Sequence, residues 1–144
     1  MMSERLFAIV VGFLMLSSLA GFAMTNIYQE PPKVEIPAVI EKVMDPQERV
    51  QVLQTGKVLI EYLYPENCVD CTEKKALYQS FVNQFSNYAV LEIVEVPANQ
   101  TMDHIIGMNG DTIELGSVSD ASTLMNIFCS VAILQPKECL MMEI

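Results

Sequence analysis

Residues 57–71 read Lys57-Val58-Leu59-Ile60-Glu61-Tyr62-Leu63-Tyr64-Pro65-Glu66-Asn67-Cys68-Val69-Asp70-Cys71, a Cys-x-x-Cys pair behind a nearly continuous apolar run. Over residues 58–64 only Glu61 interrupts that run, which marks a buried strand. Pro65 ends it, because proline brings no N–H to a sheet ladder. Beyond the cysteines, Leu77, Tyr78, Phe81, Val82, Phe85 and Tyr88 recur at the spacing of one helix face. Asn67 stands where an N-cap would, so both cysteines are expected in the first helical turn. Cys68 then lies at the exposed edge and Cys71 one turn deeper.

That placement has a chemical consequence. Unpaired N–H groups and the positive end of the helix dipole favour a thiolate at Cys68. A second thiol one turn on can attack a mixed disulfide formed at the first and release the product. Glu66, Asp70 and Glu73 outnumber Lys74 and Lys75 around the pair. Their net acidity works against the thiolate, so a mild or reducing poise is expected rather than that of a strong oxidant.

Working outward, Asp45-Pro46-Gln47-Glu48 combines an N-cap, a proline at the first helical position and an acidic capping-box partner. That helix is expected to run to about Gln54 and stop at Gly56. Residues 33–44 suit either a strand or a short helix begun at Pro37. Residues 89–96, Ala-Val-Leu-Glu-Ile-Val-Glu-Val, read as a second core strand stopped by Pro97. Asn109-Gly110 lies between two short apolar runs in residues 104–115, a strong hairpin signal, and His104 starts a strand in this reading. Ser119 or Asp120 then caps a helix that turns Leu124, Ile127, Phe128 and Val131 inward. Residues 135–144 carry no clear element.

The chain has 144 residues, enough for one domain and a short appendage. A formal net charge of −10 argues against nucleic-acid binding and against a polybasic membrane patch, both of which require clustered Lys and Arg. Mean hydropathy is +0.32, much of it from residues 6–24, which carry no charge at all. Nineteen such residues nearly match the roughly 20 that cross a hydrocarbon core. An uncleaved membrane anchor is the favoured reading, and a signal segment cleaved after Ala23 the other. Either way the rest of the chain is expected outside the cytoplasm, tethered or secreted. Pro31-Pro32 stiffens the polar link that follows.

The order strand, loop, Cys-x-x-Cys, helix, strand resembles the thioredoxin superfamily. The resemblance spans roughly residues 34–131, and IIGMNGDTIELGSVSDASTLMNIF at residues 105–128 is similar to that family's last hairpin and helix. It implies an α/β fold, a thioredoxin-like three-layer sandwich with a mixed central sheet. On this basis residues 1–27 are the anchor or signal, 28–44 the tether and first element, and 45–144 the thioredoxin-like domain. Only about seven residues, 97–103, stand where the family has a helix between its halves, so the fold is expected to be shortened there. Asn67 occupies the usual place of an aromatic. Counting back from Asn109-Gly110 puts Met102 or Asp103 where the family has a cis-proline; a non-proline residue there is expected to be trans.

The resemblance further implies Cys68 as the attacking thiol and Cys71 as the resolving one, with Asn67, Met102 and Asp103 beside the substrate. Glu61 lies near the family's buried carboxylate that moves a proton for the resolving cysteine; the bland reading is that it faces solvent or meets a lysine. Cys129 and Cys139 suit a structural disulfide that pins the tail, as exported proteins preserve such bridges. The expected function is thiol–disulfide exchange without a dissociable cofactor, acting on protein thiols or disulfides and needing a redox-recycling partner. Two alternatives stay open: a redox-inactive interaction module with a fixed disulfide, and a Cu(I) or zinc carrier, for which the ten methionines and four cysteines supply soft ligands.

Overall fold

The two apolar runs form neighbouring parallel strands at the centre of a five-stranded sheet, in a computed structural model that describes residues 35–141. The strands are β1 (Val39–Ile40), β2 (Val58–Pro65), β3 (Ala89–Val96), β4 (Met102–Ile106) and β5 (Thr112–Glu114). They lie in the order β1-β3-β2-β4-β5, with β1, β3 and β2 parallel and β4 and β5 antiparallel to their neighbours. Burial on both faces explains why β2 and β3 read as continuous rather than alternating apolar runs. The expected anchor or signal at residues 6–24 lies outside the described residues.

Helices cover both faces. Helix α1 (Pro46–Gln54) sets Val52 against Leu59, Val90 and Met44. Its start follows the expected chemistry. The Asp45 side chain accepts from Gln47 and Glu48 N–H, and Glu48 answers at the Asp45 N–H. On the other face, α2 (Cys71–Gln84) and α3 (Ala121–Val131) bring Tyr78, Phe81, Val82, Leu124 and Phe128 against Val58, Ile60, Tyr62 and Leu91. Phe81, Phe85 and Phe128 pack ring to ring with centroids 4.9–6.0 Å apart. Alternation along β2 therefore sorts its residues: Ile60 and Tyr62 face α2, whereas Leu59 and Glu61 face α1.

Several expectations are refined. Of the ambiguous residues 33–44, those described, from residue 35 on, contain the two-residue strand β1. The hairpin begins at Met102 rather than His104. Its turn is closed by Gly110 N–H donating to Gly107 O, with Gly110 at φ +82°. Residues 135–141 contain a short α4 (Lys137–Leu140). Between β3 and β4 the chain makes a single 3₁₀ turn, Ala98–Gln100, which is the shortening expected from residues 97–103.

Candidate functional site

Cys68 and Cys71 are joined as a disulfide at the N-terminus of α2, with Cα atoms 5.4 Å apart. The helix starts later than expected. Cys71 is its first residue and Asp70 its N-cap position, while Cys68 sits in the loop before it, just after the turn at Glu66-Asn67. Asn67 is not the cap; it holds a left-handed backbone at φ +61°. That conformation crowds Cβ against the next carbonyl, and asparagine tolerates it better than an aromatic would. The Asp70 side chain makes no capping hydrogen bond, so α2 begins without the carboxylate cap that Asp45 and Asp120 supply to α1 and α3.

A cleft of about 480 Å³ opens beside the disulfide, lined in part by Tyr64, Pro65, Cys71, Thr101, Met102 and Asp103. Met102 and Asp103 thus share a cavity with Cys71, whereas Asn67 stays in the turn behind it. The described residues contain no cis peptide bond. One turn down α2 from Cys71, Lys74 Nζ contacts the Asp103 carboxylate and donates to Leu115 O at 2.9 Å and Gly116 O at 3.1 Å. Tyr78 Oη donates to Asp103 Oδ1 at 2.8 Å. Burial, and then the Asp103 charge, push the Tyr78 phenol well above its ordinary pKa, so it stays a donor. This cluster ties α2, β4 and the loop into α3 together at the wall of the cleft.

Glu61 is neither solvent-facing nor paired with a lysine. It is 1 % exposed and faces α1, with Oε1 2.7 Å from Arg49 Nη1 and Oε2 2.6 Å from His104 Nε2. Glu92, its partner in the parallel register, is fully buried and lies 3.3 Å from Arg49 Nη2. Glu92 Oε1 also accepts the Met44 N–H at 2.9 Å. Burial raises the Glu92 pKa, opposed by that N–H and by Arg49. Glu92, Glu61 and His104 therefore form a row across three strands, with the Arg49 guanidinium bridging the two carboxylates. His104 also lines the cleft, so Glu61 connects to it through the imidazole.

Sequence reasoning passed over Arg49, Glu92, Lys74 and Tyr78 as members of these clusters. A signal for the first two existed: Glu61 and Glu92 each interrupt an apolar strand run, and Arg49 is the chain's only arginine besides Arg5.

Cys129 and Cys139 form a second disulfide, with Cα atoms 5.4 Å apart, which ties α3 to α4. Among the described residues no group of three His, Cys, Asp or Glu side chains is placed to hold a metal ion. Among them, too, no helix is long and apolar enough to cross a membrane. The mixed sheet, its strand order and the Cys-x-x-Cys at the start of α2 fit a thioredoxin-like topology. The chain matches no family model, no curated protein and no solved structure.

Proposed function

We propose that this protein is a thiol–disulfide oxidoreductase of the thioredoxin type, tethered to a membrane by residues 6–24 and working outside the cytoplasm. One observation carries the redox reading: the Cys68–Cys71 disulfide sits at a helix N-terminus beside an open cleft. The tether and the compartment rest on the uncharged apolar segment alone.

In the disulfide form a substrate thiolate attacks Cys68 Sγ, the Cys68–Cys71 bond breaks, and its electron pair leaves on Cys71, which takes up a proton. A second substrate thiolate then attacks the substrate sulfur of the mixed disulfide and expels the Cys68 thiolate. Two electrons pass from substrate to protein, and a partner must remove them. The same steps reversed reduce a substrate disulfide. The α2 N-terminus favours the thiolates formed on the way. Asp103, held by Lys74 and Tyr78, is a carboxylate on the cleft wall, and Glu61 enters only through His104.

The second reading, a redox-inactive module with a fixed disulfide, is favoured by the non-aromatic Asn67 and by the trans backbone where a cis-proline would hold substrate. Insulin reduction by the full chain, with dithiothreitol as electron source, separates the two. The oxidoreductase reading expects catalysis that Cys68→Ser abolishes, while Cys71→Ser accumulates a mixed disulfide. Titration against glutathione should give a potential well below the roughly −120 mV of a strong dithiol oxidant. Insulin reduction no faster than the Cys68→Ser background would leave the fixed-disulfide module.

A further inference from the structure

The two residues between the cysteines differ sharply in character. Val69, next to Cys68 in the chain, is an apolar side chain 88 % exposed, and Met102 is exposed on the wall of the cleft that Cys71 also lines. Asp70 and Glu73 point elsewhere: they line a second groove of about 250 Å³, bounded also by Leu77, Gly116 and Ser117. Both grooves are bordered by Lys74 and Gly116, so they adjoin beside the first turn of α2.

The local cations do not balance this charge. Lys74 is committed to Asp103 and to the carbonyls of Leu115 and Gly116. Lys75 lies over the Tyr64 ring, 5.5 Å from its centroid. Glu66 and Glu114 are exposed and add to the negative rim. Rim charges alone would define no site. Here the disulfide and its cleft define it, and the charges decide what approaches.

We propose that the substrate cysteine approaches Cys68 within a basic polypeptide segment, with apolar side chains against the exposed Val69 and Met102 and a Lys or Arg directed to the groove that Asp70 and Glu73 line. This rests on the redox reading above. A substrate of the opposite charge would meet the same rim as repulsion, so selection comes from attraction and exclusion together. Charges of this kind act chiefly on encounter, and salt screens them.

Three peptides identical except for Lys, Gln or Glu on both sides of one cysteine provide the test. Each is offered in excess to the oxidised full chain. Two peptide thiols give one peptide disulfide and leave Cys68 and Cys71 as thiols, so electrons balance. Rates are compared per unit of peptide thiolate, which removes the effect of flanking charge on thiol acidity. The expected order is Lys, Gln, Glu, with Lys over Glu by about five-fold in 50 mM salt and under two-fold in 0.5 M salt. The double variant Asp70→Asn, Glu73→Gln should shrink the low-salt ratio to a similar extent. Equal rates for the Lys and Glu peptides, or a ratio indifferent to salt and to the double variant, would overturn the proposal while leaving exchange itself intact. Failure of every peptide, the Gln one included, would overturn this proposal together with the oxidoreductase reading.

Discussion

Asn67 shows how one dihedral can decide a residue type. At φ +61° most side chains crowd the following carbonyl, and the turn into Cys68 requires that angle. An aromatic at this position would sit strained, which gives a steric reason for the departure from the thioredoxin pattern. Asn67→Gly should leave stability within about 0.5 kcal/mol of the parent, because glycine enters this region freely. Asn67→Val should lose about 1–2 kcal/mol. Urea denaturation of the oxidised protein measures both, and an unchanged midpoint for the valine variant would contradict the assigned turn. The same residue was legible in the wrong role: an asparagine ahead of a helical pattern reads as a cap, and only the backbone angle shows that it is a turn residue.

Among the elements, the helices differ in how they begin. In α3 the Asp120 carboxylate accepts from the Ser122 hydroxyl and the Thr123 N–H, and also from the Thr123 hydroxyl and the Ser122 N–H. These bonds hold its pKa down to about 2, against an ordinary 3.8. A lowered folded value means that the contribution is complete above the unfolded value and disappears as pH falls through about 2. Thermal melts between pH 2 and 5 should therefore show an acid loss in the parent. Asp120→Asn, which caps without titrating, should lack that component, and Asp120→Ala should melt lower already at neutral pH. An acid limb identical in parent and asparagine variant would show that the cap is not the source. The caps of α1 and α3 could be read directly, as Asp45-Pro46-Gln47-Glu48 and as the small polar run before Leu124. Helix α2 begins at Cys71 under the constraint of the disulfide and the left-handed turn, which no local spacing reveals.

Across the molecule, the row Glu92–Glu61–His104 under Arg49 joins β3, β2, β4 and α1. Two buried carboxylates share one guanidinium, itself only 27 % exposed. Arg49→Met keeps much of the stem packing but removes the charge, and should cost about 3 kcal/mol near pH 7, the lower end expected for breaking a buried pair. Without Arg49, the buried Glu92 carboxyl keeps only the Met44 N–H to oppose its desolvation, so its folded value stays above the ordinary one. Such a group costs stability as pH climbs above the unfolded carboxyl value, so the variant should recover as pH falls toward about 4.5. Denaturant unfolding of parent and variant at pH 5 and 7 measures this, and a pH-independent difference would count against the buried cluster.

The order of elements around the Cys-x-x-Cys, the two buried strands, the α1 capping box and the inward face of α3 all follow from local pattern, because periodicity, turn chemistry and caps act over a few residues. Tertiary structure alone decided the rest. Glu61 faces Arg49 and His104 because β2 puts odd and even residues on opposite faces, and because its neighbours in the sheet lie 31 and 43 residues away, at Glu92 and His104. The cleft likewise depends on β4 lying antiparallel against β2, which carries Met102 and Asp103 to the side of Cys71. Partners that distant are chosen by strand register, and register is settled only when the whole sheet closes on its core.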